Sequence, residues 1–174
     1  MAVGQGVGVP AAPATASGAA RLGPDGIGTV RFGLPKRRAV ASLRVLFGVP
    51  AASGVNTGCG PRFTEIEWGD LVAEFRVNTF SGYRYLEGGY PLTTPGSPRG
   101  SRPKAVSPQL ATSKGITLGS TLAQLRQAYK VLHLVGADKW QAGNGLVFVD
   151  NAERDPVPPS SRIVEIKVGT CGDF

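Results

Sequence analysis

The sequence predicts an α+β fold in which two repeats of a helix pack on an antiparallel β-sheet. Three observations predict it. A strand–Gly–helix pattern occurs once in each half of the chain, short runs with β-sheet periodicity follow each helix, and a Pro/Ser-rich stretch separates the halves.

The elements follow in chain order. Residues 1–20 carry no charged side chain and no Leu, Ile or Phe, so residues 1–23 read as an Ala/Gly/Pro linker of the kind that follows a cleaved signal or a lipid anchor. The first repeat, 24–90, contains Gly28-Thr29-Val30-Arg31-Phe32-Gly33, and the second, 111–174, contains Lys114-Gly115-Ile116-Thr117-Leu118-Gly119. In register, Val30 matches Ile116, Phe32 matches Leu118 and Gly33 matches Gly119. Each run places two apolar side chains on one face of a short strand, and the glycine lets the chain turn abruptly.

A helix start follows each glycine. Pro35 suits a first helical position, where its missing N–H costs nothing, and Thr121 with Gln124 forms a capping box. Helices are expected over 35–47 and 121–132, with stripes Val40, Leu43, Phe47 and Leu122, Leu125, Tyr129 facing inward. Lys36, Arg37, Arg44, Arg126 and Lys130 then stay in water. Strands are expected over Phe63–Trp68, Leu71–Val77, Tyr83–Leu86, Gly145–Val149 and Ile163–Val168, while Val131–Val135 fits either a helix end or a strand. Strands adjacent in sequence favour an antiparallel sheet with the helix on one face. The connector, 91–110, holds Pro91, Pro95, Pro98, Pro103 and Pro108. Its length without a periodic pattern is natural between two units.

Charge and cysteine content narrow the function classes. The chain has 174 residues, a formal charge of +7 and 41% hydrophobic residues, enough to bury a core. The dense basic run is Lys36-Arg37-Arg38, with Arg44 beyond it, while Arg99, Arg102 and Lys104 lie in the connector. No RNA-binding aromatic motif, zinc pattern or recognition-helix signature accompanies them, which disfavours nucleic acid and favours an anionic surface or acidic partner. No run of 18 apolar residues marks a membrane span. Cys59 and Cys171 both sit in turn-forming sequence, and with one His and no C-x-x-C a zinc site is not expected. A Cys59–Cys171 disulfide would add about 3–5 kcal/mol by loop entropy and place the chain in an oxidising compartment; two reduced thiols are the alternative.

The order strand, Gly, Thr/Pro helix start, amphipathic helix, then a Trp- and Gly-bearing sheet resembles the β-lactamase inhibitor protein fold, which carries tandem helix-plus-four-stranded-sheet repeats. The small outer-membrane assembly lipoproteins of the SmpA/OmlA kind use a related single unit. The runs Gly28–Leu46, Cys59, Trp68–Phe75, Gly115–Tyr129, Gly145–Phe148 and Cys171-Gly172 are similar to secreted proteins and lipoproteins of actinobacteria. The resemblance covers residues 26–174 in outline. It implies a concave, aromatic-lined sheet as the binding face, in a secreted or cell-envelope protein. Where the inhibitors carry an acidic loop, this chain has Asn78-Thr79-Phe80-Ser81-Gly82-Tyr83, without Asp or Glu.

No catalytic set is expected, and no cofactor. His133 stands alone in an apolar run, and no G-x-S-x-G nucleophile elbow occurs. Glu65 and Glu67 share one strand face, with Ile66 and Trp68 on the other; with Asp70 they define an alternative reading as a hydrolase, against an ordinary solvated face. Asp150, Glu153 and Asp155 lack the glycine and terminal Glu of a calcium loop, and Gly4, Gly6 and Gly8 have no strand before them. The candidate binding residues are Phe80, Tyr83, Arg84, Tyr85 and Tyr90, together with Trp140 in a loop, because Tyr, Trp and Arg combine large contact area with polar handles. The expected function is a non-enzymatic binding module for a protein or cell-wall polymer; a β-lactamase-type inhibitor is a further alternative.

Overall fold

The computed structural model describes residues 20–56, 63–88, 109–152 and 156–169. The chain opens with three short strands, β1 (Arg21–Gly23), β2 (Gly26–Ile27) and β3 (Val30–Arg31), followed by α1 (Lys36–Phe47). Four strands come next: β4 (Ala52–Asn56), β5 (Phe63–Trp68), β6 (Leu71–Arg76) and β7 (Thr79–Leu86). The second half holds β8 (Ala111–Thr112), α2 (Leu122–Ala128), β9 (Leu132–Leu134), β10 (Lys139–Ala142), β11 (Val147–Asp150) and β12 (Ile163–Val168). The class is α+β, as the sequence predicts.

Both halves build one sheet. Its order is β4-β5-β6-β7-β12-β11-β10-β9, with every neighbour antiparallel, so two meanders meet at β7 and β12. A smaller sheet, β3-β2-β1-β8, contains the parallel pair β1–β8 and lies over the core, where the Tyr83 hydroxyl donates to the Gly23 carbonyl (3.0 Å).

Each helix start is fastened to the final strand of its meander. The Gly33 N–H donates to the Phe80 carbonyl (2.9 Å) and the Lys36 N–H to Asn78 (2.7 Å). Gly119 likewise donates to Ile163 (2.8 Å) and Leu122 to Ser161 (2.8 Å). Gly33 and Gly119 hold φ of 87° and 79°, which makes glycine the natural residue at both turns. The α2 capping box is formed, with the Gln124 N–H donating to the Thr121 hydroxyl and the Thr121 N–H to the Gln124 side chain. Helix α1 has no such cap: Pro35 occupies the cap position.

The register sorts the two sheet faces. Ile66, Ala73, Tyr83 and Val168 lie opposite one another, as do Trp68, Leu71, Tyr85, Ile166 and Phe148, and all pack in one core with Ala39 and Leu43 of α1 and Leu122 and Leu125 of α2. A one-residue bulge near Ser81 of β7 re-phases that strand, so Phe80 and Tyr83, three apart, face the same side. A second bulge near Val164 does the same for Ile163 and Ile166 of β12.

Several local expectations change. Helix α2 stops at Ala128, and residues 132–134 form edge strand β9, which settles the ambiguous run in favour of strand. Residues 116–118 form no strand, although Ile116 is buried; they only brace the turn into α2, and Thr117 donates to the Leu110 carbonyl (2.6 Å). Leu110, the last residue of the stretch read as connector, is packed in the core. In α1 the inward stripe is Ala39 and Leu43, while Val40 and Phe47 are half-buried. Cys59, Cys171, Tyr90 and residues 91–108 lie outside the described residues, as do Glu153 and Asp155.

Two predictions arise from this frame. The β6–β7 turn places Val77 at φ 46° and Asn78 at φ 64°, the left-handed pair of a two-residue hairpin that Asn-Gly would satisfy. A β-branched side chain is strained there, and Val77 is 77% exposed, so little packing is lost on replacement. Val77→Asn is therefore expected to stabilise by about 1 kcal/mol, a rise of roughly 2–4 °C in Tm, read by thermal unfolding. Burial pushes the Tyr83 phenol far above its ordinary pKa of 10.0. Above that value the unfolded chain loses this proton while the folded chain keeps it, so stability falls with rising pH. Chemical denaturation between pH 9 and 12 is expected to lose up to about 1.4 kcal/mol per pH unit above pH 10 from this group; Tyr83→Phe should flatten that slope.

Candidate functional site

Helix α1 binds the core through a narrow seam. With only Ala39 and Leu43 fully buried, its flank toward β5 stays open, leaving a groove of about 620 Å³. The floor is aliphatic, from Val40, Ala41 and Ile66. Its rim carries Lys36, Arg37 and Arg44, with Asn78 of the strained hairpin at one end. Residues 36, 37, 40, 41 and 44 share a flank because helical positions three, four and eight apart stack along one side. Lys36 leans toward the sheet, its Nζ 5.8 Å from the centre of the Phe75 ring.

The electrostatics of this groove are one-sided. No acidic residue lies in the first turn of α1, and the groove lining contains no Asp or Glu. Cations at a helix N-terminus oppose the macrodipole, at a cost of about 0.3–1 kcal/mol each at the surface. None of Lys36, Arg37 and Arg44 forms a salt bridge with a carboxylate among the described residues. The groove thus concentrates positive potential over apolar surface.

The sheet face away from the helices holds a different charge cluster. Glu65 and Glu74 lie directly opposite each other on β5 and β6, and both are buried. Arg84 of β7 bridges them, Nη2 at 2.8 Å from Glu65 and Nε at 2.9 Å from Glu74. The Asn56 amide also donates to Glu65 (3.0 Å). The two carboxylates share this one guanidinium, which corrects the expectation that Glu65 belongs to a solvated face: burial is tolerated because a guanidinium can serve two carboxylates at once. Glu67 is half-buried on the same face, and Asp70 sits in the β5–β6 turn.

The aromatic binding face expected from the sequence is not a surface. Phe80 and Tyr83 are fully buried and Tyr85 is 3% exposed; all three point toward the helices, with Phe32 stacked edge-on against Phe80. The bulge near Ser81 turns them inward, and Arg84 emerges on the opposite side. Trp140 lies on strand β10 rather than in a loop, half-buried, its indole N–H donating to Asp150 (2.8 Å) and its ring under the Arg126 guanidinium (4.8 Å). Asp150 also accepts the Ala152 N–H (2.7 Å), which commits that carboxylate to local structure. His133 is exposed on edge strand β9.

The sequence reading places Lys36, Arg37 and Arg44 on the wet side of α1 and Val40 on its inward stripe. The signal that singles them out was present: Lys36-Arg37-Arg38 at an uncapped helix start with no acid in the first turn. Ile66 and Asn78, the other half of the groove, carry no such signal, because only the fold brings them to α1. No helix among the described residues is long and apolar enough to cross a membrane. Comparison with family models, curated proteins and solved structures returned no match.

Proposed function

We propose that this chain is a non-enzymatic binding module, secreted or held in the cell envelope, that takes an anionic protein or cell-wall partner along the α1 flank. The observation that carries the reading is the groove itself, where Lys36, Arg37 and Arg44 converge on aliphatic surface, the first two against the helix dipole. Arrangements that oppose local stability are characteristic of functional surfaces. The pairing of Arg84 with both Glu65 and Glu74 inside the sheet supports the non-catalytic reading over the hydrolase alternative.

The module is read as a duplicated unit of helix and four-stranded meander, in which α1 with β4–β7 corresponds to α2 with β9–β12. Matching hydrogen bonds from Gly33 and Gly119 and matching bulges near Ser81 and Val164 support this. The duplicated units differ at the helix start. The second has a satisfied capping box where the first has bare cations.

Charge reversal tests the reading with two readouts of opposite sign. Arg37→Glu is expected to stabilise the fold slightly, by about 0.3–1 kcal/mol from the dipole, while Lys36→Glu/Arg37→Glu/Arg44→Glu abolishes capture of partner from an envelope fraction. Capture by the triple variant at the wild-type level would exclude the groove. For the compartment, thiol titration of denatured protein is expected to find Cys59 and Cys171 blocked as a disulfide; two reactive thiols would count against an oxidising environment.

A further inference from the structure

Resting on the groove reading above, we infer that the occupant is an extended acidic segment of a partner protein, with two carboxylates five positions apart inclusive and an aliphatic side chain midway between them. The geometry of α1 points to this class. Residues 36 and 44 are eight positions apart, which separates the two cationic ends of the groove by about 12 Å along the helix axis. An extended chain advances about 3.3 Å per residue, so acids at positions i and i+4 span about 13 Å. The period of two then puts i, i+2 and i+4 on one face.

The floor chooses what stands between the acids. Val40, Ala41 and Ile66 offer apolar surface at the middle of the groove, matching an aliphatic side chain at i+2. The rim suits carboxylates, because Arg37 and Arg44 present planar forks that engage a carboxylate through two N–H donors. The Asn78 amide, with both donor and acceptor, can meet a peptide backbone at the open end. Beyond Arg44, Val45 is 87% exposed and Val49 77%, continuing the apolar surface in the direction the segment would leave. A phosphate polymer would satisfy the rim and waste the floor. A bilayer would need a planar or convex apolar face, whereas this one is a groove.

The test uses the whole chain and five probes. The first is a peptide with a Glu-Thr-Leu-Thr-Glu centre; its controls are Glu-Thr-Ser-Thr-Glu and Gln-Thr-Leu-Thr-Gln centres. Inorganic polyphosphate and anionic-lipid vesicles are the fourth and fifth. Titration calorimetry or anisotropy is expected to show the first peptide binding at least tenfold tighter than either control, weakening with added salt. Arg44→Glu should remove most of that difference, and the milder Arg44→Gln part of it; both variants should still unfold cooperatively, with only the small fall in Tm that loss of a cation from the last helical turn brings. Equal affinity of the Leu and Ser peptides would overturn the role given to the floor. Groove-dependent binding of polyphosphate or vesicles without the peptide would overturn the inference and leave a binding module of another partner class. If none of the probes binds in a manner sensitive to Lys36, Arg37 or Arg44, the inference and the reading beneath it both fail.

Discussion

Gly82→Ala is expected to lower stability by about 2–4 kcal/mol, a fall of roughly 5–15 °C in Tm. Gly82 lies on β7 where that strand meets β12, the seam through which the two meanders become one sheet. A Cβ there would lie 2.6 Å from the carbonyl oxygens of both Val168 and Gly169. These are backbone atoms and cannot swing away as a flexible side chain would, so relief requires the strands to part. Gly169 presents the reciprocal constraint, at φ 64° and with its own Cβ position 2.4 Å from the Ser81 carbonyl. Gly169→Ala should therefore be at least as damaging, and the double variant should cost less than the sum because both relieve the same approach. Gly33→Ala is the control: no atom lies within 4 Å of its Cβ position, so it bears only the conformational cost of φ 87°, about 1 kcal/mol. Denaturant unfolding of the four variants measures the ranking. A Gly82→Ala protein as stable as wild type would mean the seam is not packed this closely.

The second large effect is expected at Arg84. Arg84→Met removes the guanidinium and leaves Glu65 and Glu74 facing each other across β5 and β6 in a buried site. Breaking a buried ion network from one side costs about 3–5 kcal/mol, because the remaining charges lose their compensation without regaining water. Replacing the carboxylates as well should recover most of the loss: Arg84→Met with Glu65→Gln and Glu74→Gln removes the stranded charge, and an all-apolar triple replacement is expected to lie near wild type. Equilibrium unfolding of these variants separates the penalty of stranded charge from the net worth of the network. A single Arg84→Met that is neutral would contradict the 2.8 and 2.9 Å contacts.

Much of the local architecture was legible before any fold was known. Phe63–Trp68 and Ile163–Val168 are strands with the bounds read from their pattern, and Thr121 and Gln124 form the capping box their spacing implied. Such features are decided within a few residues, by alternation and by backbone groups seeking nearby partners. The weaker strands escaped because they lack internal pattern: Ala-Ser-Gly-Val-Asn of β4 and Lys-Trp-Gln-Ala of β10 become strands by pairing with β5 and β11. Context, more than propensity, makes strands of this kind.

The site was less legible than the fold. Phe80, Tyr83 and Tyr85 read as a display of aromatics because sequence alone does not reveal the bulge near Ser81. One inserted residue brings Phe80 to the core side with Tyr83 and Tyr85, and ordinary alternation leaves Arg84 on the opposite face. Glu65 and Glu67 shared a face as their spacing requires, yet whether that face was wet depended on Arg84, nineteen positions away.

What the sequence determined by itself is therefore the short-range grammar: where glycine turns the chain, where helices begin, and that three cations crowd an uncapped helix start. Tertiary structure alone decided that β7 joins β12 into a single sheet, that the tyrosines turn inward, and that Ile66 and Asn78 close a groove beneath Lys36, Arg37 and Arg44. The division has a physical cause. Turns and caps are settled by bonds between near neighbours, whereas the side a strand presents, and the wall a helix leans on, depend on partners whose distance along the chain no local pattern records.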